Sequence, residues 1–393
     1  MNLGNLHEKF IKVYQSKPEK VFFSPGRINL IGEHTDYNGG NVFPCTIIQG
    51  TYALVKKRTD QRVLLYSENF AENGVIQFDL NLTNYKETDG WANYPKGVIR
   101  YVMKSGYDIP FGFECLIFGN IPNGAGLSSS ASIEMVTGVL LNGLFQLNIP
   151  MLELIQISKT VENEFIGVQT GIMDQFVIGM GRKDAAILLD CNTLHFEYAP
   201  IPLERHKIII MNTNKRRELA DSKYNERRNE CEEALFQLQK HLSITTLGQL
   251  SNEEFESNEH LIQDLTVRKR ARHAVFENNR TIEAHRQLKN GNLIEFGQLM
   301  NQSHQSLRDD YEVTGKELDC IVNAAWQQSG VIGARMTGAG FGGCAIAIVE
   351  NELIEHFITN VSLLYENQIG YSADFYVASI GDGAKEITLE EFI

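Results

Sequence analysis

Short runs of β-branched and aromatic residues alternate along this chain with longer stretches in which apolar residues recur every three or four positions. Val63-Leu64-Leu65-Tyr66 and Phe113-Glu114-Cys115-Leu116-Ile117-Phe118 have the composition of strands. After Pro150, the apolar residues Leu154, Ile157, Val161 and Phe165 keep the spacing of a helix buried on one face. Residues 185–189 form another strand candidate. Pro200 and Pro202 then bracket a connection to Ile208-Ile209-Ile210-Met211, which predicts the start of a second domain. Residues 218–300 are helical in composition and crowded with charge, as in Glu226-Arg227-Arg228-Asn229-Glu230, a pattern that predicts solvated helix faces. Thr314-Gly315-Lys316-Glu317 reads as a capping box opening a helix that Gly330 ends. A strand, residues 344–349, follows a glycine-rich stretch. The pattern predicts an α+β protein in two domains, 1–200 and 201–393.

Composition narrows the function. The chain has 393 residues, 43% hydrophobic and 22% charged, which suits two folded domains and is too apolar for disorder. Lys and Arg total 36 against 49 Asp and Glu, a net charge of −13. That balance argues against a nucleic-acid or anionic-membrane partner, both of which need surplus cations. An anionic substrate would need cations or a metal gathered at one site. No apolar run approaches the ~18 residues of a membrane span. The first residues lack the basic-then-apolar order of a secretory signal. The six cysteines lie far apart without a CxxC pair, so buried free thiols in the cytoplasm are expected.

Several segments concentrate chemistry. Gly124-Ala125-Gly126-Leu127-Ser128-Ser129-Ser130 lies between a strand and the helically spaced Ile133, Val136, Leu140 and Leu144. Free amides and the positive dipole end of a helix make such a loop a phosphate cradle. Its serines can bond phosphate oxygens or Mg²⁺. The alternative is a plain serine-capped helix after a glycine turn. No Walker loop occurs, nor the His-Arg-Asp and Asp-Phe-Gly set of protein kinases. Gly338-Ala339-Gly340-Phe341-Gly342-Gly343 matches G-x-G-x-x-G, but a strand follows where a dinucleotide fold has a helix. It is a tight strand-to-strand loop or a site. Glu33, His34 and Asp36 crowd a glycine-flanked loop after Ser24-Pro25-Gly26-Arg27. Fixed carboxylates and an imidazole suit sugar hydroxyls; an acidic surface turn is the alternative, and no zinc spacing is present. Asp174, between Met173 and Phe176, is a helix cap, a base or a cation's partner.

Three of these loops, in order and spacing, resemble the signature motifs of the GHMP small-molecule kinases. Gly26-Arg27-Ile28-Asn29-Leu30-Ile31-Gly32-Glu33-His34-Thr35-Asp36-Tyr37 is similar almost residue for residue to the signature of the galactokinases among them. The resemblance covers nearly the whole chain; Phe43 and Thr46 depart from it at packing positions. It implies an N-terminal domain like the second domain of ribosomal protein S5 and a ferredoxin-like C-terminal domain, with the site between them. It implies Mg²⁺-dependent transfer of the ATP γ-phosphoryl group to O1 of α-D-galactose, the first phosphorylation of galactose catabolism, by a cytoplasmic monomer.

The resemblance also assigns roles. Glu33, His34, Thr35, Asp36 and Tyr224 would bind the sugar. Asp174 would be the general base, worth roughly 10²–10⁴-fold. Arg27 would stabilise transition-state charge and keep Asp174 ionised. Gly124, Ala125, Gly126, Leu127, Ser128, Ser129 and Ser130 would wrap the nucleotide, with Ser67 a further contact. Ser130 and Glu162 would hold Mg²⁺, and residues 338–343 would close the site. The rival readings are a kinase for N-acetylgalactosamine or another sugar, and a non-catalytic galactose sensor. Such sensors lack the Ser-Ala of the phosphate loop, whereas Ser130-Ala131, Arg27 and Asp174 are all present here.

Overall fold

The strand candidates assemble into three sheets in the computed structural model, which describes residues 4–122, 126–215 and 220–388. A six-stranded sheet runs in the order Lys385–Ile387, Lys20–Asn29, Pro44–Lys57, Phe113–Gly119, Arg62–Ser67 and Ile76–Asp79. Its neighbours are antiparallel except Arg62–Ser67 and Phe113–Gly119, which run parallel. The helix Ser129–Phe145 packs across the two strands Lys20–Asn29 and Pro44–Lys57. It is apolar around most of its circumference, and Met135, Val136, Leu140, Leu141 and Leu144 are all buried.

The second sheet, in the order Val331–Thr337, Cys344–Glu350, His206–Asn212 and Asp374–Ala378, is antiparallel throughout. Along the chain its strands and helices follow the β-α-β-β-α-β sequence of a ferredoxin-like domain, as the resemblance implies. The first crossover is expanded into a run of helices that includes Ala220–Leu238, Leu265–Lys289 and Leu293–Asp309. A small sheet of Asn41–Val42, Ala185–Asp190 and Phe196–Pro200 lies beside them. Ile28, Ile31 and Phe43 from the first half share one apolar cluster with Ala284, Phe296, Ile346 and Ile348 from the second. That seam fixes the two halves against each other beneath the cleft.

The structure corrects three local expectations. Lys385–Ile387 returns to pair with Val21, Phe22 and Phe23, so this strand joins the first sheet although it falls within the expected unit 201–393. The charged stretch after residue 218 is not simply solvated: Arg227, Arg270 and Glu277 are buried, because each meets opposite charge from another turn or element. Thr314 does precede the helix Gly315–Trp326, but its side chain makes no capping hydrogen bond. Among the described residues no helix is long and apolar enough to cross a membrane. All six cysteines are free.

Candidate active site

A cleft of about 270 Å³ opens between the sugar-type loop, the start of helix Ser129–Phe145, the start of helix Met173–Met180, Tyr224 and the loop at Gly338. Arg27 enters it where the strand Lys20–Asn29 shifts register between Pro25 and Arg27, an irregularity that re-aims a side chain. Gly26 is required there, since a Cβ would stand 2.8 Å from Leu127 O. Arg27 donates from Nε to Asp174 Oδ1 at 2.9 Å and from Nη2 to Oδ2 at 3.0 Å, a bidentate pair. Its Nη1 donates to Gly126 O at 2.6 Å. The Ser128 hydroxyl donates to Asp174 Oδ2 as well. Asp174 therefore does not cap its own helix: it is a cation's partner, with 24% of its side chain open to the cleft.

The phosphate-type loop is partly described. Gly124 and Ala125 lie outside the described residues, whereas Gly126, Ser128, Ser129 and Ser130 line the cleft and Leu127 is buried behind it. Ser129 and Ser130 begin the helix, so amides of its first turn have no intrahelical acceptor. The Ser128 hydroxyl is spent on Asp174 and leaves only its backbone for an anion. Ser129 and Ser130 also border a second hollow of about 210 Å³, lined by Ser67, Phe70, Trp91, Tyr94, Ile117 and Ile133. Flat apolar walls, with Trp91 Nε1 buried and without a partner among the described residues, suit a planar heteroaromatic ring. Ser67 lines this hollow from the end of its strand.

On the sugar-type loop, Glu33, His34 and Asp36 face the cleft, but Thr35 does not. Thr35 is fully buried, and its hydroxyl lies 2.9 Å from Gly32 O and 2.6 Å from Asn41 O, so it holds the loop's shape. This corrects its expected contact with substrate. Glu33 accepts from Asn29 Nδ2 at 2.8 Å and from Gly338 N at 2.7 Å, and pairs with Arg335 at 3.3 Å. Burial raises its carboxyl pKa against the pull of Arg335 and Arg27. Burial, with Asp174 next, pushes Asp36 up to about 6. Gly171 touches Asp36 so closely that a Cβ would run into its carboxylate. Tyr224 stacks near His34 and Tyr37, with ring centroids 5.5 and 5.3 Å away. The second glycine loop is both things the sequence allows, a strand-to-strand turn and a wall of the site through Gly338 and Ala339.

Glu162 stands in a widened helical turn, Val161–Ile166, and is buried at the cleft's edge. It accepts from Gln175 Nε2 at 2.7 Å and Thr170 Oγ1 at 3.1 Å, and it also meets the Ser130 hydroxyl. Burial and then the neighbouring Asp174 carboxylate raise its pKa, so a cation here would relieve real repulsion. A hydroxyl and a carboxylate are hard oxygen donors of the kind Mg²⁺ takes, so Ser130 and Glu162 could hold it. Among the described residues no three His, Cys, Asp or Glu side chains gather into an all-protein cage. Sequence patterns assign no role to Gln175, Thr170, Tyr37 or Arg335. Tyr37 ends the galactokinase-type signature, and Arg335 is a single cation inside an apolar strand.

Comparison with known proteins places the chain in a family. Residues 8–57 match the galactokinase galactose-binding signature, 93–182 the GHMP kinases N terminal domain and 284–366 the GHMP kinases C terminal domain. A galactokinase of Lactiplantibacillus plantarum is 56% identical over 98% of this chain and 100% of its own length. One of Enterococcus faecalis is 58% identical over 97% of this chain and 99% of its own. The crystal structure of Lactococcus lactis galactokinase complexed with galactose superposes with a TM-score of 0.96 at 55% identity, covering 98% of this chain and 100% of that one. Methanococcus jannaschii mevalonate kinase, 20% identical with a TM-score of 0.65 over 92% of this chain and 98% of its own, shares the fold.

Proposed function

The chain belongs to the galactokinase family of the GHMP kinases and is an ATP-dependent sugar kinase; from that premise we propose that its cleft phosphorylates O1 of α-D-galactose. The observation that carries this reading is the bidentate Arg27–Asp174 pair, set between the sugar-type loop and the helix that cradles phosphate. Glu33, His34, Asp36 and Tyr224 bind the sugar hydroxyls and orient O1 toward Asp174. The carboxylate takes the O1 proton as the oxygen attacks the γ-phosphorus of ATP, whose bond to the bridging oxygen breaks so that ADP leaves. Arg27, already aligned, offsets charge on the transferring group in a site whose buried walls limit screening by water. Amides at the start of helix Ser129–Phe145 hold the nucleotide phosphates, and the base occupies the hollow by Ser67 and Trp91. Ser130 and Glu162 would hold Mg²⁺, which supplies charge neutralisation to the phosphates when bound. Six free thiols suit a cytoplasmic enzyme.

ADP release followed across a panel of hexoses tests the substrate. Glucose, which differs only at C4, is expected to show kcat/KM lower by on the order of 10²-fold or more, because groups built for the axial hydroxyl are left unpaired. Comparable values for the two sugars would overturn the assignment of the loop. For the metal, Glu162→Ala is expected to raise the Mg²⁺ concentration for half-maximal turnover about tenfold or more. Galactose binding, measured by calorimetry without nucleotide, should stay close to wild type. An unchanged Mg²⁺ requirement removes Glu162 from the ligand set.

A further inference from the structure

Behind the sugar-type loop, groups from both halves of the chain join head to tail. His34 Nε2 lies 3.2 Å from the Ala339 carbonyl oxygen, and His34 Nδ1 lies 2.8 Å from the Tyr37 hydroxyl. The Tyr37 and Tyr311 hydroxyls are 2.7 Å apart, and Cys231 Sγ is 3.2 Å from the Tyr311 hydroxyl. The first contact fixes the direction of all the rest. A carbonyl oxygen can only accept, so Nε2 carries a proton. Burial, with His273 next, lowers the imidazole pKa to about 3, so the ring is neutral near pH 7 and Nδ1 is a bare acceptor. Tyr37 must then donate to Nδ1. Its oxygen is left to accept from Tyr311, whose own oxygen accepts from the Cys231 thiol.

We propose that Tyr37 and Tyr311 are positioning residues for sugar recognition: the Ala339 carbonyl selects the Nε2–H tautomer of His34, and the two tyrosines, their hydroxyls aligned by that choice, satisfy bare Nδ1 and hold the tautomer when Nε2–H turns to the sugar, so the loop offers a hydrogen-bond donor beside the carboxylates of Glu33 and Asp36. The inference rests on the cleft being the galactose site. Because Tyr37 serves Nδ1 independently of Ala339, Nε2–H can pass from the Ala339 carbonyl to a sugar hydroxyl without the ring changing tautomer. That hydroxyl accepts from His34 and is free to donate to a carboxylate. An acceptor-only loop would have to take every proton from the sugar.

Two-bond ¹H–¹⁵N correlation spectra of the labelled, sugar-free protein at neutral pH read the tautomer directly, with His34 assigned by the signals lost in His34→Gln. Protonated Nε2 and bare Nδ1 are expected. An Nδ1–H ring or an imidazolium would overturn the proposal. In turnover, Tyr37→Phe is expected to raise the galactose KM roughly three- to tenfold while kcat and the ATP KM stay within about twofold. Tyr311 is buried, so Tyr311→Phe is paired with substitutions at the chain's origin. Cys231→Ala should raise the galactose KM in the same sense, and Cys231→Ser, which keeps the donor, should restore it. An unchanged galactose KM in a natively folded Tyr37→Phe protein also overturns the proposal. The spectrum needs neither sugar nor turnover, so a wild-type protein inactive on galactose would fail the substrate reading separately.

Discussion

Asp174→Asn is expected to lower kcat by about 10²-fold or more while galactose still binds. The substitution keeps the shape of the side chain but removes its charge and its ability to take the O1 proton. It also sets an amide N–H against one arm of the Arg27 fork, which now donates to both carboxylate oxygens. Arg27→Ala should fall as steeply, since a fixed cation matters most where charge develops in the transition state. It would leave Asp174 with Ser128 as its remaining side-chain partner in the described site and free the Gly126 carbonyl. The two losses should not add, because each group orients the other and the pair acts as a unit. A double-mutant cycle on turnover measures the coupling, with sugar binding followed separately by calorimetry. Near wild-type turnover in Asp174→Asn would falsify the base assignment and leave Arg27 to act by charge and position alone.

How much of this was legible in the sequence depends on whether a signal is local. The strands at residues 63–66, 113–118 and 344–349 announce themselves by composition and the helix after Pro150 by period, and each is present. The glycine-serine loop and the sugar-type loop are contiguous, so their chemistry can be read before any folding is known. The identity of Asp174's partner cannot: Arg27 lies 147 residues away, and only the register shift in its strand and the close passage at Gly26 bring the two together. The same limit explains the buried charges of the helical region. Composition says that Arg270 is charged, not that Glu230 and Glu312 will meet it from other elements. Thr35 illustrates the opposite failure. It sits within a motif whose neighbours face the cleft, and the backbone turns it inward. Lys385–Ile387 is too short to carry any period, and only the free edge of Lys20–Asn29 gives it a place.

Arg335→Met is expected to destabilise the fold by about 3–5 kcal/mol, because it leaves two buried carboxylates without their shared cation. The Arg335 side chain is fully buried. Its Nη1 donates to Asn29 O at 3.1 Å and to Glu33 at 3.3 Å, its Nε donates to Ser303 Oγ at 3.1 Å, and its Nη2 lies 3.7 Å from Glu277. It thus ties the strand before the second glycine loop to the sugar-type loop and to the helix Leu265–Lys289. Burial opposes the charge on Glu277, yet Arg280, His273 and Arg335 together bring its pKa down to about 2. Glu33 is less well compensated: burial already raises it, and removing Arg335 takes away the largest opposing pull. A carboxyl whose folded pKa lies above its unfolded one destabilises at high pH, and the penalty fades as pH falls toward the unfolded value. The stability deficit of Arg335→Met should therefore narrow between about pH 7 and about pH 5. Urea unfolding of both proteins across that range measures it. Galactose affinity should fall in parallel, since Glu33 also holds Gly338 against the cleft. A deficit below about 1 kcal/mol at neutral pH, the scale of an exposed ion pair, would show that the buried cation is not what joins the two halves at the site.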